Sequence, residues 1–388
     1  MTIQTLTGAA AEAVATESAF GPRVRLSESA IAEAQEILGA AFAGSRRGMV
    51  AFQEALVAGD FQQAVFQVLD REVIDRYEDI PAVWSQYVSP TTVRDFKPKN
   101  LVDLLGGKAG LDPVPELTEY PARDISKALY RLKVSKFGGR FAISWESMVN
   151  DDLDELRNLP ENLAVAARDT EARAAASLLT DGNGPNGALF NSTAWGRTYD
   201  ADTDTWSGGS SNLLAGNPAL SIDSLEAALN AIQQRRDPQG RPIVVRAYKL
   251  VVPAALEFTA RKILEALEIR QTSGNQTVIS NNYVSGRVQL VVEPWLDVLD
   301  GASTAPTTWY LVPDPASARK ALFLGKLRGH ETPDLRVKAD TGSRVGGGSI
   351  APEEGSFDID DIQYRVRHVL GTAGTDMIAT AVSTGAGS

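Results

Sequence analysis

The spacing of apolar residues near the N-terminus is helical. Residues 27–43 read SESAIAEAQEILGAAFA, with serines ahead of apolar residues at three- and four-residue intervals, and a second such stripe runs from 46 to 69. Apolar residues at this spacing form one face of an amphipathic helix, and serine is a favoured N-cap. The sequence therefore predicts two helices within residues 27–69.

The stretch that follows residue 129 alternates instead, and its phase changes partway. Apolar residues occupy 130, 132 and 134, then 141, 143 and 145, and Gly138-Gly139 lies between the two sets. Alternation indicates a strand, and an extra residue in a strand exchanges the faces on which its side chains lie. We expect a β-bulge at the two glycines.

A long helix is predicted after this strand. Pro160 suits the first position of a helix that runs to about residue 180, with a stripe of apolar and small residues at Leu163, Ala167, Thr170, Ala174 and Leu178. The segment SMVNDDLDEL before it predicts a separate short helical turn. About 21 residues at 1.5 Å per residue make a rod of roughly 30 Å.

The second half of the chain alternates helical and strand patterns. Residues 188–325 predict a compact α/β domain with a helix at 221–236 capped by Ser221, a strand at 248–254, a helix at 255–267 and strands at 288–296 and 307–315. Alternation returns in DIDDIQYRVRHVLG at 358–371, and TDMIATAVS predicts a last strand. The fold class is therefore α+β.

Residues 90–127 carry repeated prolines and little periodicity. A connection of this length in a compact domain usually has a function of its own, such as a binding arm. Its ends, TVRDF and ALYRLKV, predict a long two-stranded ribbon, and such a ribbon needs a partner surface because it is marginally stable alone.

The amino-acid composition argues against several classes of function. The 388 residues include 43% hydrophobic and 22% charged residues, which is ordinary for a folded protein, and there is no cysteine for disulfides or thiolate metal sites. The longest apolar runs, such as KLVVPAALEF, are too short to cross a bilayer, and the N-terminus lacks the pattern of a secretory signal. The net charge of −11 argues against a protein whose main task is to bind nucleic acid.

Charge is unevenly distributed around the predicted strand. Residues 94–140 contain ten basic and six acidic residues, a net charge of +4, whereas residues 146–181 contain three basic and nine acidic residues, a net charge of −6. A solvated surface explains such asymmetry as well as a contact does. The alternative hypothesis is that the basic segment lies on the acidic surface of another copy.

No pattern of catalytic residues is present. His330 and His368 are the only histidines, neither belongs to a zinc-helix motif, and phosphate-loop, dinucleotide and nucleophile-elbow motifs are absent. Asp200, Asp202 and Asp204 have the spacing of a calcium loop but lack its glycine and glutamate, so a polar loop is the better interpretation. We expect no catalytic, cofactor or metal site.

A series of segments resembles the major capsid proteins of tailed bacteriophages, and in particular the Mu-like major head subunits. These segments are YRLKVSKFGGRFAISWESMVNDDL, LPENLAVAARDTEARAAASLL, LFNSTAWG, LVVPAALEFTARKIL, RVQLVVEPWLD, WYLVPDP and IDDIQYRVRHVLGTAGTDMIAT. They occur in order along the chain, and the resemblance covers about residues 90–385.

The resemblance implies a Hong Kong 97-type capsid fold. In that fold residues 1–89 would form an N-terminal arm with two helices, 90–135 the E-loop, 136–187 the P-domain strand and spine helix, 188–325 the A-domain, and 326–388 the return to the P-domain sheet and the C-terminal strand. Residues before Gly138-Gly139 would then belong to an arm that reaches a neighbour, and those after it to the subunit's own core.

The same resemblance implies a structural protein with no enzymatic activity. It would assemble with other copies of itself into pentamers and hexamers of an icosahedral shell around double-stranded DNA, in the host cytoplasm, without a membrane. Portal and scaffolding or protease proteins, and a decoration (cement) protein, are expected partners, and we expect little or no N-terminal cleavage. The candidate contacts between subunits are Lys97, Lys99, Lys108, Lys127, Arg131 and Lys133 on one side and Asp151, Asp152, Asp154 and Glu155 on the other.

Some relatives join their subunits through a Lys–Asn isopeptide bond. Lys108 at the loop tip would be the lysine, but the chain has no asparagine after Asn282. We therefore expect a shell without crosslinks.

Two alternatives stay open. An encapsulin-like compartment would enclose protein cargo in the same type of shell, and a cytosolic enzyme would use the α/β region as a substrate domain. The long E-loop and the N-terminal arm favour the virus, and the missing catalytic motifs argue against the enzyme.

Overall fold

The computed structural model describes residues 71–104, 127–144, 154–200, 205–236, 242–338 and 361–387. Within these ranges, residues 72, 197, 267, 274–275, 283 and 285 are left out. The chain divides into two units, Met1–Arg71 and Glu72–Ser388, and every labelled helix and strand lies in the second. The two helices predicted within residues 27–69 lie outside the described residues.

The described elements mix helices and strands, as the sequence predicts. Residues 73–79 are helical. The labelled elements are β1 (Ser89–Val93), β2 (Lys99–Leu104), β3 (Lys127–Leu132), β4 (Ser135–Ser144), α1 (Asp154–Ala176), β5 (Thr198–Asp200), β6 (Thr205–Ser207), α2 (Ile222–Gln234), β7 (Tyr248–Val252), α3 (Glu257–Glu265), β8 (Glu268–Ser273), β9 (Gln276–Asn281), β10 (Val288–Val292), α4 (Trp295–Leu299), β11 (Trp309–Pro313), β12 (Leu322–Leu327), β13 (Asp334–Val337), β14 (Asp361–Gly374) and β15 (Ala381–Ser383). The α+β class is confirmed.

The first sheet is organised around β14. This strand pairs antiparallel with β12 near its C-terminal end, with β13 further back, and with β4 along the opposite edge. β1 adds a parallel strand beside β12. Because β14 has neighbours on both sides, its side chains alternate between two faces of one continuous sheet.

The predicted ribbon exists, but its first strand lies further along the chain. β2 pairs with β3 from Lys99 opposite Leu132 to Leu104 opposite Lys127. The sequence predicts residues 92–96 as the first strand of the ribbon. In the structure, Val93 is instead the last residue of β1 and is buried beside β12. The apolar side chain of Val93 is buried within the sheet, and Pro98, which lacks a backbone N–H, stands immediately before the ribbon.

The predicted bulge at Gly138-Gly139 is wrong. β4 pairs with β14 without interruption from Ser144 opposite Asp361 to Ser135 opposite Leu370. A Cβ atom on Gly138 would lie 2.4 Å from the carbonyl oxygen of Val366, so close backbone approach explains this glycine. The chain instead leaves strand geometry at residues 133–134, between β3 and β4.

The expectation that the residues before the two glycines belong to an arm outside the protein's own core is also wrong, whereas the residues after them do pair with β14 of the same molecule. Leu132 and Val134 are buried in the protein's own core with Val369, whereas Phe137 is 41% exposed. Two glycines make room for this segment, since a Cβ atom on Gly371 would lie 2.1 Å from the Lys133 carbonyl oxygen and one on Gly325 would lie 2.7 Å from Leu132. The chain before Gly138 is therefore anchored in its own molecule.

The long helix begins earlier than predicted. α1 starts at Asp154, so the short turn and the predicted helix form one element with Pro160 inside it. Acidic residues in the first turn stabilise a helix N-terminus, which favours a start at Asp154 and Glu155. Pro160 lies beyond the first turn of α1, so it removes one internal backbone hydrogen bond of the helix. After Ala176 the chain turns through Gly182 and Gly184, both with positive φ.

The second sheet has the strand order β10-β7-β11-β15. Its central strands are buried on both faces: Leu250 and Leu311 pack with α2 and α3, while Val251 and Val312 pack with the C-terminal end of α1. Continuous apolar runs are typical of strands covered on both sides.

Most of the predicted elements of the α/β region are confirmed. α2 begins after Ser221, whose side chain accepts a hydrogen bond from the Ser224 backbone in a capping box. The last strand differs from expectation, because β15 pairs with β11 in the second sheet and does not return to the first. The β8–β9 hairpin, which the sequence analysis did not predict, follows α3.

Candidate functional site

The ten predicted contact residues fall into three groups in the structure. Lys97, Lys99, Arg131 and Lys133 are exposed near the base of the β2–β3 ribbon. Lys127 begins β3, and Asp154 and Glu155 begin α1. Lys108, Asp151 and Asp152 lie outside the described residues.

The basic residues of the ribbon lie on both of its faces. Arg131 lies opposite Asn100, whereas Lys99 lies opposite Leu132, so the side chains of Arg131 and Lys99 lie on different faces of the ribbon. The ammonium group of Lys99 also donates a hydrogen bond of 2.8 Å to the Thr92 carbonyl. The structure therefore places Arg131 and Lys99 on different faces of the ribbon, and Lys127 is the first residue of β3.

A buried carboxylate that the sequence did not predict lies between α1 and the two central strands of the first sheet. Glu171 of α1 is fully buried, and its partners come from four parts of the chain. Its oxygens accept hydrogen bonds from the Tyr77 hydroxyl, from Trp84 Nε1 at 3.0 Å and from Arg168 Nη1 at 3.1 Å. Lys326 Nζ and His368 Nε2 lie 2.6 and 2.8 Å from Oε1. We name Glu171 and these five partners the Glu171 cluster.

The cluster connects neighbouring elements through one charged group. Tyr77 lies in helical residues 73–79, Lys326 in β12 and His368 in β14, so α1 is bonded to both central strands of the first sheet. Lys326 Nζ also lies 2.6 Å from the Tyr77 hydroxyl. The arrangement holds elements together and fixes α1 on the face of β14 that carries His368.

The surroundings of Glu171 favour its charged form. Burial raises the pKa of Glu171, but the hydrogen bond from His368, the charge of Lys326 and the hydrogen bonds from Lys326 and Tyr77 outweigh burial and lower it to about 2. Burial, together with the charge of Glu171, raises the pKa of Tyr77 well above its usual range. Glu171 is therefore a carboxylate at neutral pH, and Tyr77 is a hydrogen-bond donor.

The position of Glu171 relative to the alanines of α1 could have identified it as a buried residue from the sequence alone. Leu163, Ala167 and Leu178 of the predicted stripe are buried, but Glu171 and Ala175 are buried where the prediction had Thr170 and Ala174. A glutamate four residues from an alanine on each side lies on the apolar face of a helix. Burial of a charge at such a position requires paired partners.

A second charged group anchors the C-terminal segment. Arg235, just after α2, is buried and donates hydrogen bonds of 2.7 Å from Nη1 to the carbonyls of Ile378 and Thr380. Burial lowers the pKa of this guanidinium to about 10. These contacts place the short helical turn before β15 against the α2 side of the second sheet.

Side-chain groups suited to metal binding are not assembled in the part of the chain that the structure describes. No cluster of three or more His, Cys, Asp or Glu side chains with suitable geometry occurs there. His368 is used in the Glu171 cluster, and His330 forms a backbone bridge with Leu327. Of the Asp200, Asp202 and Asp204 series, only Asp200 lies within the described residues. None of the described helices is long and apolar enough to span a membrane.

Comparisons with known proteins identify the family. Solved structures with a similar fold include one from Mycobacterium phage Patience (13% identity, 82% of this chain and 86% of that chain covered, TM-score 0.46), the capsid of an empty GTA particle (14% identity, 78% and 88%, TM-score 0.42) and the holo-SrpI encapsulin complex from Synechococcus elongatus (12% identity, 79% and 89%, TM-score 0.40). No curated protein matches the sequence. The family described as phage capsid protein matches residues 130–381, more than half of the chain. The protein therefore belongs to the phage capsid protein family.

Proposed function

We propose that this chain is the major capsid subunit of a tailed bacteriophage, which assembles into pentamers and hexamers of an icosahedral shell around double-stranded DNA. The observation that carries the proposal is the family match over residues 130–381. That range begins in β3 and ends at the start of β15, so it takes in most of the described fold.

Within the family we assign the chain to the Mu-like branch with the Hong Kong 97 division into domains. The β2–β3 ribbon is the base of the E-loop, α1 is the spine helix, the first sheet belongs to the P-domain, and the second sheet with α2 and α3 belongs to the A-domain. The order of the quoted Mu-like segments along the chain supports this assignment.

The proposed contact between copies is electrostatic. Basic side chains of the E-loop would contact acidic side chains at the start of a neighbour's spine helix. The basic residues are Lys97, Lys99, Lys108, Lys127, Arg131 and Lys133, and the acidic residues are Asp151, Asp152, Asp154 and Glu155. Support comes from the exposure of Arg131 and Lys133 and from the opposite net charges of the two segments.

The remaining partners follow from the assembly of a phage head. The shell would form in the host cytoplasm with a portal and with scaffolding or protease proteins, and it would be held by interlocking arms and a cement protein without covalent crosslinks. The subunit would serve as a building block rather than as an enzyme.

Electron microscopy of the expressed protein tests the proposal. We expect closed shells or tubes, and nucleic acid in particles purified from infected cells. A monomeric sedimentation profile under assembly conditions would contradict the proposal. Particles that hold protein cargo and no nucleic acid would favour the encapsulin-like alternative.

A further inference from the structure

Three arginines form a row across the first sheet. Arg140 of β4 lies opposite Arg365 of β14, and Arg365 lies opposite Arg336 of β13. Residues directly opposite one another point to the same face, and adjacent strands are about 4.8 Å apart, so the three Cα atoms span about 10 Å. Like charges in this arrangement repel one another. All three side chains are exposed.

Among the residues of the sheet that the structure describes, this charge is neutralised only in part. Asp334 lies on the same face, where its Oδ2 is 3.0 Å from Arg336 Nε and 2.5 Å from Arg367 Nη2, so one carboxylate is shared by two arginines. Arg140 contacts the neutral amide of Gln363 at 3.4 Å. Asp361, at the end of the face, is buried and accepts a hydrogen bond from Gln363. We name the surface formed by Arg140, Arg336, Arg365 and Arg367 the arginine face.

The spine helix of the same molecule lies on the other side of the sheet. His368 follows Arg367 in β14, so its side chain points to the opposite face, where it bonds Glu171 of α1. Tyr364 points to that side as well and stacks on Phe141, with ring centroids 5.2 Å apart. The arginine face is therefore turned away from its own α1.

An acidic stripe of matching length lies on the outer side of α1. Glu161, Val165 and Asp169 are four residues apart and share one side of the helix, opposite the buried Ala167 and Glu171. Glu161 and Asp169 are exposed, and Val165 between them is 41% exposed. Eight residues at 1.5 Å per residue place the two acidic positions about 12 Å apart, close to the length of the arginine row.

We propose that the arginine face docks on the Glu161–Asp169 stripe of α1 in a second copy of this chain. Copies with a net charge of −11 repel one another at long range, and local contacts of opposite charge offset that repulsion in an assembly of many copies. The arginine face supplies the positive side and the stripe the negative side. This contact is separate from that of the E-loop, and it rests on the proposed assembly into shells.

Charge reversal and its rescue test the contact in the full-length chain. Arg140→Glu with Arg365→Glu should lower the yield of closed shells at least tenfold by light scattering and electron microscopy, while circular dichroism and the unfolding midpoint of the unassembled subunit stay unchanged. Glu161→Lys with Asp169→Lys should impair assembly equally, and all four changes together should restore at least half of the yield. The matched control is Lys262→Glu with Lys320→Glu, which makes the same charge change at exposed positions outside both surfaces and should assemble normally.

Each outcome has a defined consequence. Normal assembly of the arginine variant, or failure of the fourfold variant to recover, overturns the proposal. Shells that form normally but retain less DNA, with a loss that grows at high salt, would assign the face to DNA phosphates instead. If the arginine variant does not fold, the Glu161–Asp169 variant decides, because its substitutions lie on a solvent-exposed helix side. If the unmodified chain and the control both form no shells, the proposed function itself fails.

Discussion

Glu171 shows how this protein accommodates a fully buried charge. Removing a carboxylate from water costs several kcal/mol, and that cost is offset only when hydrogen bonds and an opposite charge are held in good geometry. Lys326 and Arg168 supply the charge, and Tyr77, Trp84 and His368 occupy the remaining positions around the carboxylate. The partners are therefore as important to the stability of the fold as the glutamate itself.

Replacing Glu171 by alanine should destabilise the unassembled subunit by about 3–5 kcal/mol, because Lys326 and Arg168 would then lack their buried partner. Urea unfolding measures the change. Glu161→Ala, on the exposed side of the same helix, is the control and should change stability by less than about 0.5 kcal/mol. Equal effects of the two substitutions would show that the cluster contributes little.

The same cluster makes stability depend on pH in the acidic range. The pKa of Glu171 is lowered from 4.5 to about 2 in the folded protein by His368, Lys326 and Tyr77, against the opposing effect of burial. The unfolded chain therefore binds the proton first, so this contribution is complete above about pH 4.5 and is lost as the pH falls towards 2.

Unfolding free energies of the unmodified protein and Glu171→Gln, compared from pH 6 to pH 2, test this dependence. The advantage of the unmodified protein should be constant above pH 4.5 and should shrink below it. A difference that stays constant down to pH 2 would argue against a carboxylate stabilised by charge, since glutamine has no proton to gain.

The helices and strands that could be predicted are those whose apolar pattern depends only on residues nearby in the sequence. α2 followed from Ser221 and its apolar stripe, and β7 and β11 followed from continuous apolar runs that fit a sheet covered on both faces. The faces of β3 and β4 were not predictable, because they depend on Gly325 and Gly371, more than 180 residues away in sequence, which admit Leu132 and Lys133.

The candidate site, like the fold, could be predicted from the sequence only in part. Exposed basic residues such as Arg131 and Lys133 can be recognised from local charge. The arginine row could not be recognised, because it exists only through the register of β13, β14 and β4, and sequence does not fix the pairing of strands so distant in the chain.

Gly138 and Gly139 are adjacent in β4 but have different surroundings, so replacing each of them by alanine tests how closely β4 packs against β14. Gly138→Ala should destabilise the subunit by about 1–3 kcal/mol, because its Cβ atom would lie 2.4 Å from the Val366 carbonyl oxygen and the backbone would have to move. Gly139→Ala is the matched control, since no atom lies within 4 Å of its Cβ position. It should be neutral or stabilising by up to about 1 kcal/mol. Thermal unfolding of both variants measures the effects, and the reverse order would contradict the observed register.

The β2–β3 ribbon can be tested as an assembly element. Lys127→Glu, Arg131→Glu and Lys133→Glu together should lower shell yield at least tenfold and leave the subunit folded, because the ribbon would then repel the acidic segment of a neighbour. The control reverses Lys262, Lys320 and Arg328, which are exposed outside the ribbon. If the ribbon variant assembles as well as this control, the +4 and −6 segments are only solvated surface.

For the whole molecule, a net charge of −11 gives assembly two opposing electrostatic contributions. Long-range repulsion between copies decreases as salt is added, and so would the proposed local attraction of the ribbon and the arginine face for acidic surfaces. Contacts with opposite charges at short range are screened less when they are partly buried. Shell formation should therefore depend on where the charges lie more than on their sum.

The shell should also be held together without covalent bonds between subunits. Lys108 is available at the predicted E-loop tip, but no asparagine follows Asn282, so the partner for an isopeptide bond in the C-terminal part of the chain is missing. Denaturing electrophoresis of intact mature particles should give a single band at the monomer mass. Particles treated with an amine-reactive crosslinker provide the control, because they must give a ladder of oligomers on the same gel. A ladder from untreated particles would show that a different acceptor residue serves, and mass spectrometry of the linked peptides would identify it.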